Sequence, residues 1–293
     1  MSNDDGQSTW RARALVEALP YVQQWANHVV VIKFGGAAMR SSELLDTVAQ
    51  DLVLLRAVGV HVVLVHGGGP EVTALGKRLG IEPRFVDGLR VTDDITMRIA
   101  QMVQVGGISR DLLGAIARFG GRAVGLAGHD GGGWLRGKLR EHVSQETGKR
   151  VDLGRVGDIA SVDVSLVRIQ IDSGLIPVIS PIAVDDDMKA LNVNADTVAT
   201  AVATALNASR LLYLTDVDGI HGPDGLVSEV NVATLRTWIA DGTVSGGMVP
   251  KTEACLSALD GGVDRVSIVA GIHPHATLIE LLTDEGIGTL IHP

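Results

Sequence analysis

Val29-Val30-Val31-Ile32-Lys33-Phe34-Gly35-Gly36 is the stretch that decides the fold. Its apolar, mostly β-branched run, broken only by Lys33, reads as a strand buried on both faces. The glycine pair stops it. A helix is expected from about Ser42 to Val58, with Ser41 or Ser42 as N-cap and Gly59 just past its end. The pattern then repeats. Val60 to Val65 is a second buried strand, stopped by His66-Gly67-Gly68-Gly69-Pro70, and Glu71 to Leu79 is a helix closed by Gly80.

Working outward, the alternation continues. Helices are expected over 96–119, interrupted by Gly106-Gly107, and over 164–173, 195–206, 233–241, 248–259 and 276–282. Strands are expected over 123–126, 176–180, 190–193, 210–214 and 266–269. The glycine-rich, charged stretch 127–158 reads as a β-hairpin excursion around 136–140 and 150–156, and Asp185-Asp186-Asp187 as a turn. Repeated strand–loop–helix units of this kind specify an α/β three-layer αβα sandwich with a largely parallel central sheet. Ahead of it, residues 1–8 read as a disordered tail. Residues 9–27 read as a helix carrying Leu15, Leu19, Val22 and Trp25, kinked or broken at Pro20. That helix can cap the core or pack on another subunit.

Composition narrows the function classes. A chain of 293 residues fits one large α/β domain or two lobes sharing a core. The net charge of −9 leaves no basic surplus to neutralise a phosphate backbone, which argues against nucleic acid as partner. One cysteine, Cys255, excludes an intrachain disulfide and a Cys-rich metal site; it reads as a small buried hydrophobe in a cytoplasmic protein. The N-terminus lacks a signal-peptide plan, and no apolar run reaches the ~20 residues that span a bilayer.

In open parallel sheets, ligands sit beyond the carboxyl ends of strands. Two glycine clusters stand there, Gly35-Gly36 and Gly67-Gly68-Gly69, each ahead of a helix whose free N–H groups favour an anion. The chain contains no G-x-x-x-x-G-K-[ST] loop, and no G-x-G-x-x-G follows the first strand. Lys33 ends a buried strand, where an ammonium is costly unless an anion meets it; the alternative is a side chain that reaches solvent. Lys251 lies near a helix N-terminus, against the helix dipole unless an anion binds, and otherwise is an exposed lysine. Asp196 either orients the two lysines or only complements a helix start.

In order, Ile32 to Gly36, His66 to Pro70, Asn192 to Asp196, Leu214 to Gly219 and Gly246 to Lys251 resemble the motifs of the amino-acid kinase family. The resemblance runs from about Val29 to the C-terminus. Gly88-Leu89-Arg90-Val91-Thr92 and the His-Gly-Gly-Gly-Pro loop narrow it to the branch acting on N-acetyl-L-glutamate. It implies the amino-acid kinase fold, with an interaction segment over 1–28, an acyl-acceptor lobe over 29–190 and an ATP lobe over 191–293. It implies that Lys33 and Lys251 stabilise the transferring phosphoryl group and that Asp196 organises them. Gly68, Gly69, Arg90 and Asn192 would hold N-acetyl-L-glutamate. Gly35, Gly36, Thr215, Asp216, Asp218, Gly219, Gly247 and Met248 would line the nucleotide site. Mg²⁺ would travel with ATP, with no metal ligand from the protein.

The chemistry agrees with the residue types. A substrate carboxylate, with a pKa of about 4.3, is already ionised and needs no general base. The barrier is bringing anion onto anion, which fixed cations and backbone amides lower. Arg90 can grip a carboxylate bidentately. Gly107 and Ser109 stand where the family often has Lys and Asn, Ala37 stands where an Asn is common, and residues 131–133 form an unusual glycine run. These departures bear on the acceptor pocket. The N-terminal helix and the stretch from His275 to Thr289 are similar to those of hexameric, arginine-inhibited members. The resemblance therefore implies a trimer of dimers and an L-arginine effector site with His275, Glu280 and Gly286. A kinase of another carboxylate acceptor and a non-catalytic nucleotide or amino-acid sensor are the competing readings.

Overall fold

The structure, a computed structural model, describes residues 4–36, 39, 41–284 and 286–293, with the backbone alone at 4–8, 11 and 12. Ala37, Glu285 and the first three residues of the expected tail lie outside the described residues. The central sheet has eight strands in the order Glu229–Asn231, Thr289–His292, Val266–Ala270, Arg210–Thr215, Val29–Phe34, His61–His66, Ile176–Ile179, Ala123–Leu126. The last six of these run parallel. Thr289–His292 is antiparallel to Val266–Ala270, and Glu229–Asn231 pairs only with it.

The helices are α1 (Asp4–Trp25), α2 (Ser42–Ala57), α3 (Gly69–Arg78), α4 (Asp94–Gln101), α5 (Ser109–Arg118), α6 (Ser165–Asp172), α7 (Ala195–Leu206), α8 (Val232–Ala240), α9 (Met248–Asp260) and α10 (Ala276–Leu282). Side chains alternate along Val29–Phe34, so the strand feeds two cores. Val30, Ile32 and Phe34 pack with Leu52 of α2, Leu112 of α5 and Leu281 of α10. Val31 packs on the other side with Val198 of α7 and Leu256 of α9. Lys33 shares that second face with Val31, which aims it at α7. Parallel strands buried on both faces and helices on either side make the expected three-layer α/β sandwich.

Several expectations need correction. Helix α1 begins at Asp4 and runs through Pro20. A proline removes one main-chain donor, and here the last turn is held from outside: Trp25 is buried and its Nε1–H donates to Leu281 O at 2.8 Å. Leu15 and Leu19 are exposed, while Tyr21 and Trp25 pack into the core beside α10. The expected helix over 96–119 is three pieces, with the π-helical turn Met102–Ile108 between α4 and α5. Leu135–Leu139 pairs with Gly157–Val162, not with 150–156. Arg150–Val151 instead closes a small hairpin with His142–Val143. A second sheet, ordered Ala190–Asn192, Ile182–Val184, Leu135–Leu139, Gly157–Val162, lies over the carboxyl end of the main one. No helix among the described residues is long and apolar enough to cross a membrane.

Arg210 and Glu280 form a buried ion pair at 2.9 Å that ties the sheet to α10. Glu280 Oε1 also accepts from Ser267 Oγ at 2.6 Å, and Oε2 from the Ile287 N–H at 3.2 Å. Removing one member leaves a buried charge uncompensated. Glu280→Ala is therefore expected to lose about 3 kcal/mol of stability in urea unfolding, and Arg210→Met with Glu280→Leu to lose less.

Candidate active site

Lys33 emerges at the carboxyl end of the central strand, 9 % exposed. Its Nζ lies 2.9 Å from Asp196 Oδ1. Asp196 occupies the first turn of α7, placed by its N-cap: Asn194 Oδ1 accepts from the N–H groups of Asp196 at 2.7 Å and Thr197 at 3.4 Å. Lys251 enters the same crevice from the first turn of α9, whose N-cap is Gly247 with Met248 following. Tyr213, Thr215 and Ala254 complete the lining. Below, Thr200 Oγ1 donates to Asp196 O at 2.9 Å and shares a 2.6 Å bond with the Tyr213 hydroxyl. Burial pushes the Tyr213 phenol well above its ordinary value, so it stays neutral. Two ammonium groups and one carboxylate thus share a small space at a strand end.

Gly35 and Gly36 follow Lys33 directly. A Cβ on Gly35 would stand 2.6 Å from Lys33 Nζ. A Cβ on Gly36, at φ +73°, would overlap the Asp216 carboxylate, so only glycine lets these two strand ends close together. Thr215 is buried, Asp216 exposed, and Asp218 pairs with His221 at 3.1 Å at the surface. Gly219 turns the chain into the hairpin of Ile220–Gly222 and Gly225–Val227.

A separate cavity of ≈ 230 Å³ gathers Gly68, Gly69, Arg90, Gln104, Asn192 and Asn194. Gly67 N–H is committed to Phe34 O at 2.9 Å. Gly68 and Gly69 precede the first helical bond of α3, from Val72 N–H to Gly68 O, so their N–H groups belong to the open helix end. Arg90 Nη2 donates to Gly69 O at 2.8 Å and Thr73 Oγ1 at 2.7 Å, and the guanidinium lies over the Phe85 ring at 4.8 Å. Asn192 Nδ2 donates to Thr92 Oγ1 at 3.2 Å. Cationic, amide and backbone donors therefore face one cavity that suits a small carboxylate.

His66 underlies the glycine loop and is fully buried. Its Nδ1–H donates to Gly67 O at 2.7 Å, leaving Nε2 to accept the Ser180 hydroxyl at 3.0 Å. Burial lowers its pKa to about 4, so it is neutral and inaccessible as a base for substrate. Among the described residues, no group of three His, Cys, Asp or Glu side chains is arranged to hold a metal.

The three residues expected at an effector site do not all meet. Glu280 and Gly286 line a cavity of ≈ 260 Å³ with Tyr21, Trp25, Arg210 and Asp284. His275 lies at the other end of α10, with Nδ1 at 2.6 Å from Asp51 Oδ1. Burial raises Asp51 to about 6 despite that pair. Gln104, Asn194 and Tyr213 were not singled out from the sequence. The Asn194 signal was present, since Asn two residues before Asp is a helix N-cap pattern; Gln104 gave none inside an apolar helical run.

The chain matches the Amino acid kinase family over residues 28–270. It is 48% identical over 291 residues to the acetylglutamate kinase of Symbiobacterium thermophilum, covering 98% of this chain and 99% of that protein. Among solved structures it resembles the N-acetylglutamate synthase of Neisseria gonorrhoeae complexed with coenzyme A and N-acetyl-glutamate, at TM-score 0.84 and 28% identity. That likeness covers 96% of this chain and 63% of the synthase. The same synthase with coenzyme A and L-arginine gives TM-score 0.81 at 27% identity, covering 96% and 65%.

Two measurements check the site. Lys33→Met is expected to lower kcat at least about a hundredfold, by removing a fixed positive group from the reacting centre. For His66, a folded pKa below the unfolded value means stability is full above pH about 6.5 and is lost as pH falls toward 4. The loss from this group is about 3 kcal/mol, and Asp51 acts in the opposite sense over the same window. His66→Gln should therefore show a smaller fall in Tm between pH 7 and pH 5 than the wild type.

Proposed function

The chain belongs to the amino acid kinase family, and from that membership we propose that it phosphorylates the side-chain carboxylate of N-acetyl-L-glutamate. ATP is the donor, N-acetyl-L-glutamyl 5-phosphate the product, and arginine biosynthesis the route. The observation that carries this reading is the convergence of Lys33, Asp196 and Lys251 at the end of the central strand, beside a separate donor-lined cavity. The full-length likeness to an acetylglutamate kinase supports the choice of acceptor.

In this mechanism the acceptor carboxylate attacks the γ-phosphorus of ATP in line, and ADP departs. No proton moves, so no base is needed. Lys33 and Lys251 neutralise the oxygens of the transferring group, and Asp196 holds Lys33 in place. Arg90 grips the acceptor's other carboxylate, with Gly68, Gly69 and Asn192 fixing its backbone and acyl group. Residues 29–190 carry the acceptor lobe and residues 191–293 the nucleotide lobe, where Gly35, Gly36, Thr215, Asp216, Asp218, Gly219, Gly247 and Met248 line the ATP site. Mg²⁺ would be held by the ATP phosphates, with no ligand from protein side chains, and would supply charge neutralisation there. The setting is the cytoplasm.

Regulation is part of the proposal. The cavity beside Glu280 and Gly286, closed by Tyr21 and Trp25 of α1, has the carboxylates and space for L-arginine. The exposed apolar residues Leu15, Val16 and Leu19 share one side of α1 and offer it to a second subunit. A hexamer of three dimers linked through α1 follows.

Hydroxamate trapping with ATP and Mg²⁺ tests the activity: signal with N-acetyl-L-glutamate well above glutamate, aspartate and aminoadipate is expected. No acyl phosphate with any acceptor would favour a nucleotide or amino-acid sensor. Arg90→Lys should raise the acceptor KM about tenfold or more with little change for ATP, because the bidentate geometry is lost. Deleting residues 1–27 should reduce the solution mass and blunt the arginine response; unchanged values would reject the assembly.

A further inference from the structure

The hairpin that carries Arg90 to the acceptor cavity is held at its tip by residues from elsewhere in the chain. Phe85–Val86 and Leu89–Arg90 pair with each other and with no other strand. Asp87 and Gly88 close the turn at φ +48° and +77°, the positive values of a tight two-residue hairpin. A two-stranded ribbon this short is barely stable alone. From it, Arg90 reaches Gly69 O and Thr73 Oγ1 of α3.

The support comes from the segment 142–155. Asp87 Oδ2 accepts from His142 Nε2–H at 2.7 Å and from the Gln145 N–H at 2.9 Å. The Asp87 and His142 side chains are only 14 % and 12 % exposed. The Gln145 and His142 donors hold the Asp87 carboxyl below its ordinary value, so it stays ionised. His142 begins the small hairpin with Arg150–Val151, and the loop between them is closed on itself: Ser144 N–H donates to Lys149 O, and Ser144 O accepts from Gly148 N–H. The same segment holds the base of the Arg90 hairpin. Thr92 N–H donates to Leu153 O at 2.9 Å, and Arg155 N–H to Thr92 O at 2.6 Å. Arg155 O in turn accepts from Asn192 N–H at 2.8 Å. Arg90 therefore lies between two supports, one at the tip and one at the base.

We propose that Asp87 and His142 are positioning residues for the acceptor, their hydrogen-bonded tie fixing the hairpin so that Arg90 meets the substrate carboxylate already oriented. The inference rests on the carboxyl-kinase reading and extends it to side chains outside the cavity, since neither residue lines it. With the tie cut, each acceptor that binds has to order the hairpin first, and affinity falls by that cost. None of the residues lining the crevice of Lys33 and Lys251 belongs to either hairpin, so ATP should not sense the change.

Steady-state kinetics with N-acetyl-L-glutamate and ATP test this on His142→Leu, Asp87→Gly, their double variant and Asp87→Asn. Glycine is chosen at 87 because it takes the positive φ freely. His142→Leu and Asp87→Gly should each raise the acceptor KM about fivefold or more, with kcat and the ATP KM within about twofold of wild type. In the Asp87→Gly background, His142→Leu should add no more than about twofold, because its partner is already gone. Asp87→Asn keeps an oxygen that can accept both N–H groups, and should restore the acceptor KM to within about twofold of wild type. A purely structural defect would instead lower Tm and move both KM values together. An unchanged acceptor KM in folded His142→Leu, fully multiplicative effects in the double variant, or equal shifts for ATP and acceptor would each overturn the proposal. His142→Ala removes the same bond should leucine fail to fold. Absence of turnover of any carboxylate acceptor by wild type is a different result: it would reject the kinase reading, and this inference with it.

Discussion

An ammonium at the end of a doubly buried strand is the constraint around which the rest is arranged. Lys33 sits at the centre of an eight-stranded sheet, with parallel neighbours on both sides and hydrophobic cores on both faces. Such a charge has to be met, and Asp196 meets it at 2.9 Å. That requirement accounts for the start of α7 beside the strand end, for Asn194 as its cap, and for glycine at 35, whose Cβ would meet the Lys33 ammonium. The pair is only partly compensated by geometry within the chain, since a second ammonium, Lys251, enters the same crevice. The crevice therefore holds one carboxylate and two ammonium groups.

Much of this was legible in the sequence because the relevant signals are local. Apolar runs ending in glycine gave the central strands to within a residue or so, and α7 and α10 match their expected limits. Lys33, Lys251 and Asp196 stood at strand or helix ends, where position alone suggests a ligand. What was missed depends on distant partners. Thr289–His292 is too short and too plain to read as a strand, and it exists because Val266–Ala270 and Glu229–Asn231 flank it. The partner of Leu135–Leu139 lay beyond the residues chosen, because the choice between 150–156 and 157–162 is made by the second sheet. Pro20 read as a kink or a break; the helix is not broken there, and Trp25 anchors its last turn across the molecule.

The segment between α4 and α5 shows how a correct signal can be misassigned in kind. Gly106-Gly107 does mark a departure from α-helix, but the chain widens rather than stops. The widened turn keeps Met97 and Ile99 before it and Leu112 and Ile116 after it in one core. Between them it shifts the helical phase, so the residues facing the glycine loop are not those an uninterrupted helix would present. Gly107 and Ser109, where the family pattern is departed from, lie in or directly after this turn, and neither lines the cavity beside the glycine loop, which the turn reaches through Gln104.

The strand Thr289–His292 is the clasp of one border of the sheet. It wedges between Val266–Ala270 and Glu229–Asn231, which reaches the sheet only through it. Until it docks, the backbone groups of Val266–Ala270 are unpaired on that side. A molecule in which this one strand is displaced therefore loses two pairings together and presents a raw, adhesive margin to its neighbours.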